Sequence, residues 1–238
     1  MTEPANPKNP NLTPWDIYVD ERKIPNAHSL GLLVVPNTAS FTHKLFKCRH
    51  VRVGTNKIYV SREIHWSEFH RGIIRPAMNW IDCFLAHRGA KFYIKEWPSG
   101  EAKELVLLKF LARFVEVKGL TPPYNVAVLL DFDSSHAKAK IQNTIRQAGR
   151  VARCYHFDSE RNDCLQCCDL LLGCVDSVRQ EPAIAAQYVS LYERWVAGEK
   201  LTDGQAKRLI AGYVAKSLET ALDKVYDLRR RLNKADTN

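Results

Sequence analysis

Long apolar runs are missing from this chain. No stretch approaches the ~20 residues needed to cross a bilayer, which excludes a membrane-spanning helix. Residues 1–13 are rich in Pro and Asn and lack the basic-then-apolar pattern of a secretory signal, so a flexible lead-in and a cytoplasmic location are expected. Seven cysteines, an odd number in a mid-sized chain without such a signal, read as reduced thiols and not as a disulfide framework. The sequence has no Gly-rich loop to cradle a nucleotide phosphate and no strained turn to expose a serine nucleophile. Internal repeats and low-complexity tracts are lacking too.

What is present is ample apolar material and an excess of positive charge. With 238 residues, 45% of them hydrophobic, the chain can bury one large core or two small ones. Lys and Arg number 35 against 26 Asp and Glu, a net +9 concentrated at residues 44–52, 138–153 and 229–234. Such a field favours phosphate-rich partners and salt-sensitive binding.

Alternation predicts strands over 16–21 and 30–35 joined through Lys23-Ile24-Pro25-Asn26, with 49–53 and 57–60 extending the same meander. Helical spacing follows, with Ile73, Ala77, Trp80, Ile81, Phe84 and Leu85 on one face. Residues 91–97 read as a strand and 101–118 as a helix with Leu105, Leu108, Leu111, Ala112 and Val115 inward. A strand over 125–133, a basic helix to Gln147, a strand over 151–157 and a helix capped by Asp163 come next. Past Pro182 two helices, 183–196 and 205–232, form a pair. The expected architecture is α/β: a mixed sheet flanked by helices over 14–180, with a C-terminal helical extension over 181–238.

Three carboxylates stand out against the basic background. Asp20 closes Asp16-Ile17-Tyr18-Val19-Asp20, Asp131 closes Val126-Ala127-Val128-Leu129-Leu130-Asp131, and Asp169 sits in Cys167-Cys168-Asp169-Leu170-Leu171-Leu172-Gly173. Ionised carboxylates beside buried surface are costly unless compensated, and a divalent metal compensates them. Side chains alternate along a strand, so Asp20 and Glu21 point to opposite faces and only Asp20 is favoured for the site. Asp133 could serve the site or cap the next helix. On the third segment, Gln166, Asp169, Gly173 and Asp176 recur at helical spacing as one stripe, which docks an acid toward the strand ends unless it is simply solvated. Glu63-Ile64-His65-Trp66-Ser67-Glu68 adds a second-rank pair, Glu63 for a metal and His65 for a proton. Cys164-x-x-Cys167-Cys168 hints at zinc, but cysteines on a continuous helix point in several directions, and packing explains them better.

These motifs, in this order, resemble the family of domain of unknown function 3800. The resemblance rests on Ile17-Tyr18-Val19-Asp20-Glu21 followed by Leu30 to Val35, on Glu63 to Glu68, on Leu129-Leu130-Asp131, and on Phe157-Asp158-Ser159 with Leu165-Gln166-Cys167-Cys168-Asp169-Leu170. It implies a ribonuclease H-like fold and a metal-dependent nuclease site in which Asp20, Asp131 and Asp169 are the acids, with Asp158 and Gln166 in the same signature. Where that family commonly has Ser-Gly after Asp-Glu, this chain has Arg22-Lys23. Glu96, on an extra strand-helix unit, is a lower-ranked alternative acid.

The expected activity is therefore hydrolysis of DNA or RNA by two Mg²⁺ or Mn²⁺ ions, with Asp20 bridging and Asp131 and Asp169 on either side. Arg22, Lys23, Lys138, Lys140 and Arg146 are the expected phosphate contacts. The competing expectation is a catalytically silent, nucleic-acid-binding or scaffolding subunit. The C-terminal helices offer a surface for self-association or for a larger complex.

Overall fold

Two ten-residue strands with apolar side chains on both faces build the centre of the sheet. The computed structural model describes residues 13–24, 27–53, 56–60, 63–98, 102–131, 135–149, 153–157, 161–220 and 225–227. β1 (Trp15–Ile24) and β2 (Ala27–Pro36) pair antiparallel from Trp15↔Pro36 to Ile24↔Ala27. After α1 (Thr38–Cys48), β3 (His50–Val53) and β4 (Asn56–Tyr59) form a hairpin of their own. They do not extend the first meander, as expected from sequence, but make a separate two-stranded sheet. α2 (Ile74–Ala86) leads to β5 (Lys91–Pro98), antiparallel to β2. α3 (Lys103–Val117) then leads to β6 (Val126–Leu130), parallel to β1, and α4 (Ser135–Gln147) to β7 (Arg153–His156), parallel to β6. α5 (Asp163–Gln180), α6 (Ala183–Val196) and α7 (Asp203–Thr220) follow, and β8 (Val225–Asp227) joins β5 in parallel. The order β7-β6-β1-β2-β5-β8 makes a six-stranded mixed sheet flanked by helices, the α/β class read from sequence.

Both faces of this sheet are covered, which is why its inner strands are apolar throughout. Ile17, Val19, Leu32, Val128 and Leu130 face α3 and α4. Tyr18, Leu33, Phe92, Ala127 and Leu129 face the other way, into a core shared with α2, α5 and α7. α5 lies between the sheet and α7, so every side chain over residues 164–174 is buried. A helix apolar or small on all sides is what that position requires. Its cysteines are packing groups, and burial holds the Cys167, Cys168 and Cys174 thiols well above their ordinary range.

Several local expectations are corrected. α3 buries Val106, Leu107, Phe110, Leu111, Phe114 and Val115, whereas Leu105, expected inward, is exposed. Leucines all round that segment left its face undetermined by spacing alone. α5 is capped by Asn162, whose side chain accepts from the N–H groups of Cys164 (3.0 Å) and Leu165 (3.1 Å), not by Asp163. α7 ends at Thr220 instead of running to residue 232, and the chain re-enters the sheet as β8. α1, unread from sequence, buries only Phe41 and Leu45.

Candidate functional site

The carboxyl ends of the parallel pair bring the first two acids together. Val19 pairs with Leu130, and the Asp131 N–H donates to the Val19 carbonyl at 3.0 Å, so Asp20 and Asp131 stand one step beyond the last paired residues. Alternation turns both toward α5, the side to which Tyr18 and Leu129 also point. Opposite Asp20 on β2 is Gly31, where a Cβ would press on Leu172 at 3.2 Å and the Phe92 ring at 3.0 Å. The bare glycine lets α5 come down onto the strands at the level of the acids. From α5, Asp169 completes the group, and Asp20 and Asp169 are each only 8% exposed.

Burial is the main reason the Asp20 carboxyl is held well above the usual carboxylate range. The like charges of Asp169 and then Asp131 push it further the same way, and a hydrogen bond with Asp169 adds to this, while the Glu21 N–H, donating to Oδ1 at 2.7 Å, opposes it. Burial and like charge thus act together on Asp20, and a positive charge placed among these carboxyl groups would relieve both.

Residues 63–70 lie across α5 and orient Asp169. The Trp66 N–H donates to Asp169 Oδ2 at 2.5 Å, and His65 Nε2 stands 3.6 Å from the same oxygen, with His65 Nδ1 and Ser67 Oγ at 2.6 Å. Trp66 packs where α5 has Gly173; a Cβ there would fall 2.1 Å from Trp66 Cγ. Gln166 anchors the segment by accepting from the Ile64 N–H (2.9 Å) and from Arg49 Nη2 (2.7 Å). Arg49, 4% exposed, also donates to Asp163 Oδ1 from Nε (2.9 Å) and Nη2 (2.7 Å), and to the Val60 carbonyl (3.2 Å). Gln166 thus positions the acid-bearing helix and the Trp66 segment. Arg49→Ala takes from Asp163 its buried guanidinium partner and leaves Gln166 Oε1 with the Ile64 N–H, and urea unfolding should register a loss of about 3–5 kcal/mol.

Other sequence candidates lie elsewhere. Glu21 points to the opposite face, as alternation predicts, and is ion-paired with Lys103 of α3. Glu96 sits across from Ser29 and pairs with Arg179 at 2.8 Å, apart from the three acids. Glu63 is half-buried at the start of the Trp66 segment. Asp133 and Asp158 lie outside the described residues. Lys23 is exposed. Lys140 pairs with Glu104 (2.7 Å) and Arg146 donates to the Cys154 carbonyl (3.0 Å). Both are on α4, as is Lys138, and α4 packs through Ile141 and Ile145 on the sheet face opposite α5.

Sequence reasoning placed Asp176 in the stripe but gave it no role. It is 2% exposed; Ser29 Oγ donates to Oδ1 at 3.0 Å, and Oδ2 is buried without a hydrogen-bond partner among the described residues. Burial pushes its carboxyl from 3.8 up to about 6, against the Ser29 hydrogen bond and the charges of Arg179 and Arg22. Because the folded value exceeds the unfolded one, the group favours the fold below about pH 4, and that contribution is lost as pH rises through about 6. Asp176→Asn should match the wild type near pH 4 and exceed it by up to about 3 kcal/mol at pH 7.5, read from urea unfolding at both pH values.

The donors suit a hard divalent cation in kind, being carboxylate oxygens, and the burial and like charge that oppose ionisation of Asp20 are what a cation would relieve. Among the described residues, no group of three or more His, Cys, Asp or Glu side chains stands in an arrangement that could hold a metal ion, so binding would draw the acids closer. No helix among the described residues is long and apolar enough to cross a membrane. No protein-family model matches the chain, and no curated protein matches it either.

Proposed function

We propose that this chain is a ribonuclease H-like, metal-dependent nuclease that hydrolyses nucleic-acid phosphodiesters. The observation that carries the reading is the meeting of Asp20, Asp131 and Asp169, from β1, the end of β6 and α5, where burial first and then the charges of the other two hold the Asp20 carboxyl above its ordinary range. The mixed sheet, antiparallel on one side of β1 and parallel on the other, supports the fold assignment, and the motif resemblance supports the chemistry. The net charge of +9 suits a polyanionic substrate.

Asp20, Asp131 and Asp169 would hold Mg²⁺ or Mn²⁺, which when bound supplies an activated water and charge stabilisation for the departing oxygen. The chain's own residues prepare for this. The Trp66 N–H fixes the direction of Asp169 Oδ2. His65, steadied at Nδ1 by Ser67, presents Nε2 beside Asp169 to accept or return a proton.

The test is incubation with Mn²⁺ and single-stranded DNA, duplex DNA, RNA or a hybrid. Cleavage of at least one is expected, and its absence from all four overturns the reading. A silent nucleic-acid-binding subunit is the second reading, favoured by Arg22 on the same strand face as Asp20. It predicts binding with no response to Mn²⁺.

A further inference from the structure

Arg22 follows Asp20 by two residues on β1 and so projects from the same face, over α5. Its guanidinium carbon lies 5.8 Å from the centre of the Trp66 ring. Lys207, from α7, reaches the same ring, with Nζ 5.7 Å from its centre and donating to the Ser67 carbonyl at 2.9 Å. Trp66 is the residue whose N–H holds Asp169, so two cations converge on the immediate support of the acid cluster.

The pair is electrostatically incomplete. Burial, and then the field of Arg22, pull the Lys207 ammonium below its ordinary range, with Asp169 and Asp203 acting against them. Arg22 Nη1 is buried and has no hydrogen-bond partner among the described residues. A buried cationic N–H left unmade costs more than a made bond returns. The nearby carboxylates do not supply the missing acceptor. Asp169 is engaged by Trp66, and Asp203 accepts from the Arg71 N–H at 3.0 Å. Asp176 feels the charge of Arg22, yet its own Oδ2 is also without a partner. An anion from outside the chain would satisfy the orphaned donor and screen the two cations from each other.

We propose that Arg22 and Lys207 form a binding site for a backbone phosphate of nucleic acid beside the Asp20–Asp169 pair, with Lys207 delivered by α7. The identity of the anion rests on the nuclease reading; the need for one does not. A guanidinium fork and an ammonium point charge are complementary phosphate ligands. A phosphodiester held between them and the carboxylates is positioned for attack. Under this proposal Arg22 binds substrate, and α7 completes the site through Lys207.

The experiment uses the full chain in EDTA, where no cleavage occurs, and short fluorescein-labelled oligothymidylate and oligouridylate read by anisotropy. Lys207→Met keeps the aliphatic stem on Trp66 and removes the charge. It should raise Kd about tenfold and lower the slope of log Kd against log salt by about 0.7–1. Lys207→Arg should restore both. Arg22→Gln should behave as Lys207→Met does, and it carries the test if that variant does not fold. Wild-type Kd and slope in a folded Lys207→Met overturn the proposal, as does failure of the wild type to bind either oligonucleotide. Cleavage by the wild type in Mn²⁺ is scored separately. Charge-dependent binding without cleavage sinks the nuclease reading alone, and cleavage with binding indifferent to Lys207 sinks the phosphate site alone.

Discussion

Asp20→Asn should melt higher than the wild type in EDTA while losing Mn²⁺-dependent cleavage by about a thousandfold or more. The two effects have one cause. In the metal-free protein the Asp20 carboxyl is buried between Asp169 and Asp131, and its ionisation is opposed by desolvation and by both like charges. Asparagine imitates the protonated acid: its amide can donate to Asp169, and its carbonyl can still accept from the Glu21 N–H, which now meets Oδ1 at 2.7 Å. The fold loses a repulsion and keeps its hydrogen bonds. The site loses the ligand expected to lie between the other two. Differential scanning fluorimetry makes the distinction. Wild type should gain thermal stability on adding Mn²⁺ through preferential binding to the native state, and Asp20→Asn should gain none. A variant less stable than wild type in EDTA would mean that Asp20 is compensated by some group other than its neighbours.

Gly173→Ala should be among the most damaging single-methyl additions in the chain. The new Cβ would lie 2.1 Å from Trp66 Cγ and 2.4 Å from both Cδ1 and Cδ2, so the indole must move bodily. That ring is packed against Phe69 at a centroid distance of 5.7 Å and carries Arg22 and Lys207. Its displacement pulls the Trp66 N–H away from Asp169. Overpacking of this severity should cost roughly 3 kcal/mol or more, against a helix-propensity gain of about 1 kcal/mol. The urea midpoint should fall and the tryptophan emission should shift. Gly204→Ala is the control: its Cβ would meet nothing nearer than Thr202 Oγ1 at 4.0 Å, and stability should change little.

Where local pattern decides the outcome, the sequence was legible. Strand alternation separated Asp20 from Glu21, and the structure turns the first toward α5 and the second toward Lys103. Helical spacing put Gln166, Asp169, Gly173 and Asp176 on one stripe. The stripe is buried, which removes the solvated alternative. Gly173, the small member of that stripe, receives the Trp66 ring, while Gly31 on β2 serves the contact between helix and sheet. What stayed hidden depends on partners far along the chain. Arg49 meets Gln166 across 117 positions, and Lys207 meets Ser67 across 140; neither has a local signature. The basic helix α4 reads as a phosphate rim by composition, which does not tell that the crossover from β6 to β7 packs its Ile141 and Ile145 on the sheet face opposite α5.

The central claim is that the three carboxylates together hold a divalent cation. Anomalous diffraction from crystals soaked in Mn²⁺ tests it most directly. The account predicts density bounded by Asp20, Asp131 and Asp169, with Asp131 drawn toward the other two. Crystals saturated with Mn²⁺ that show no anomalous peak among these residues would contradict it.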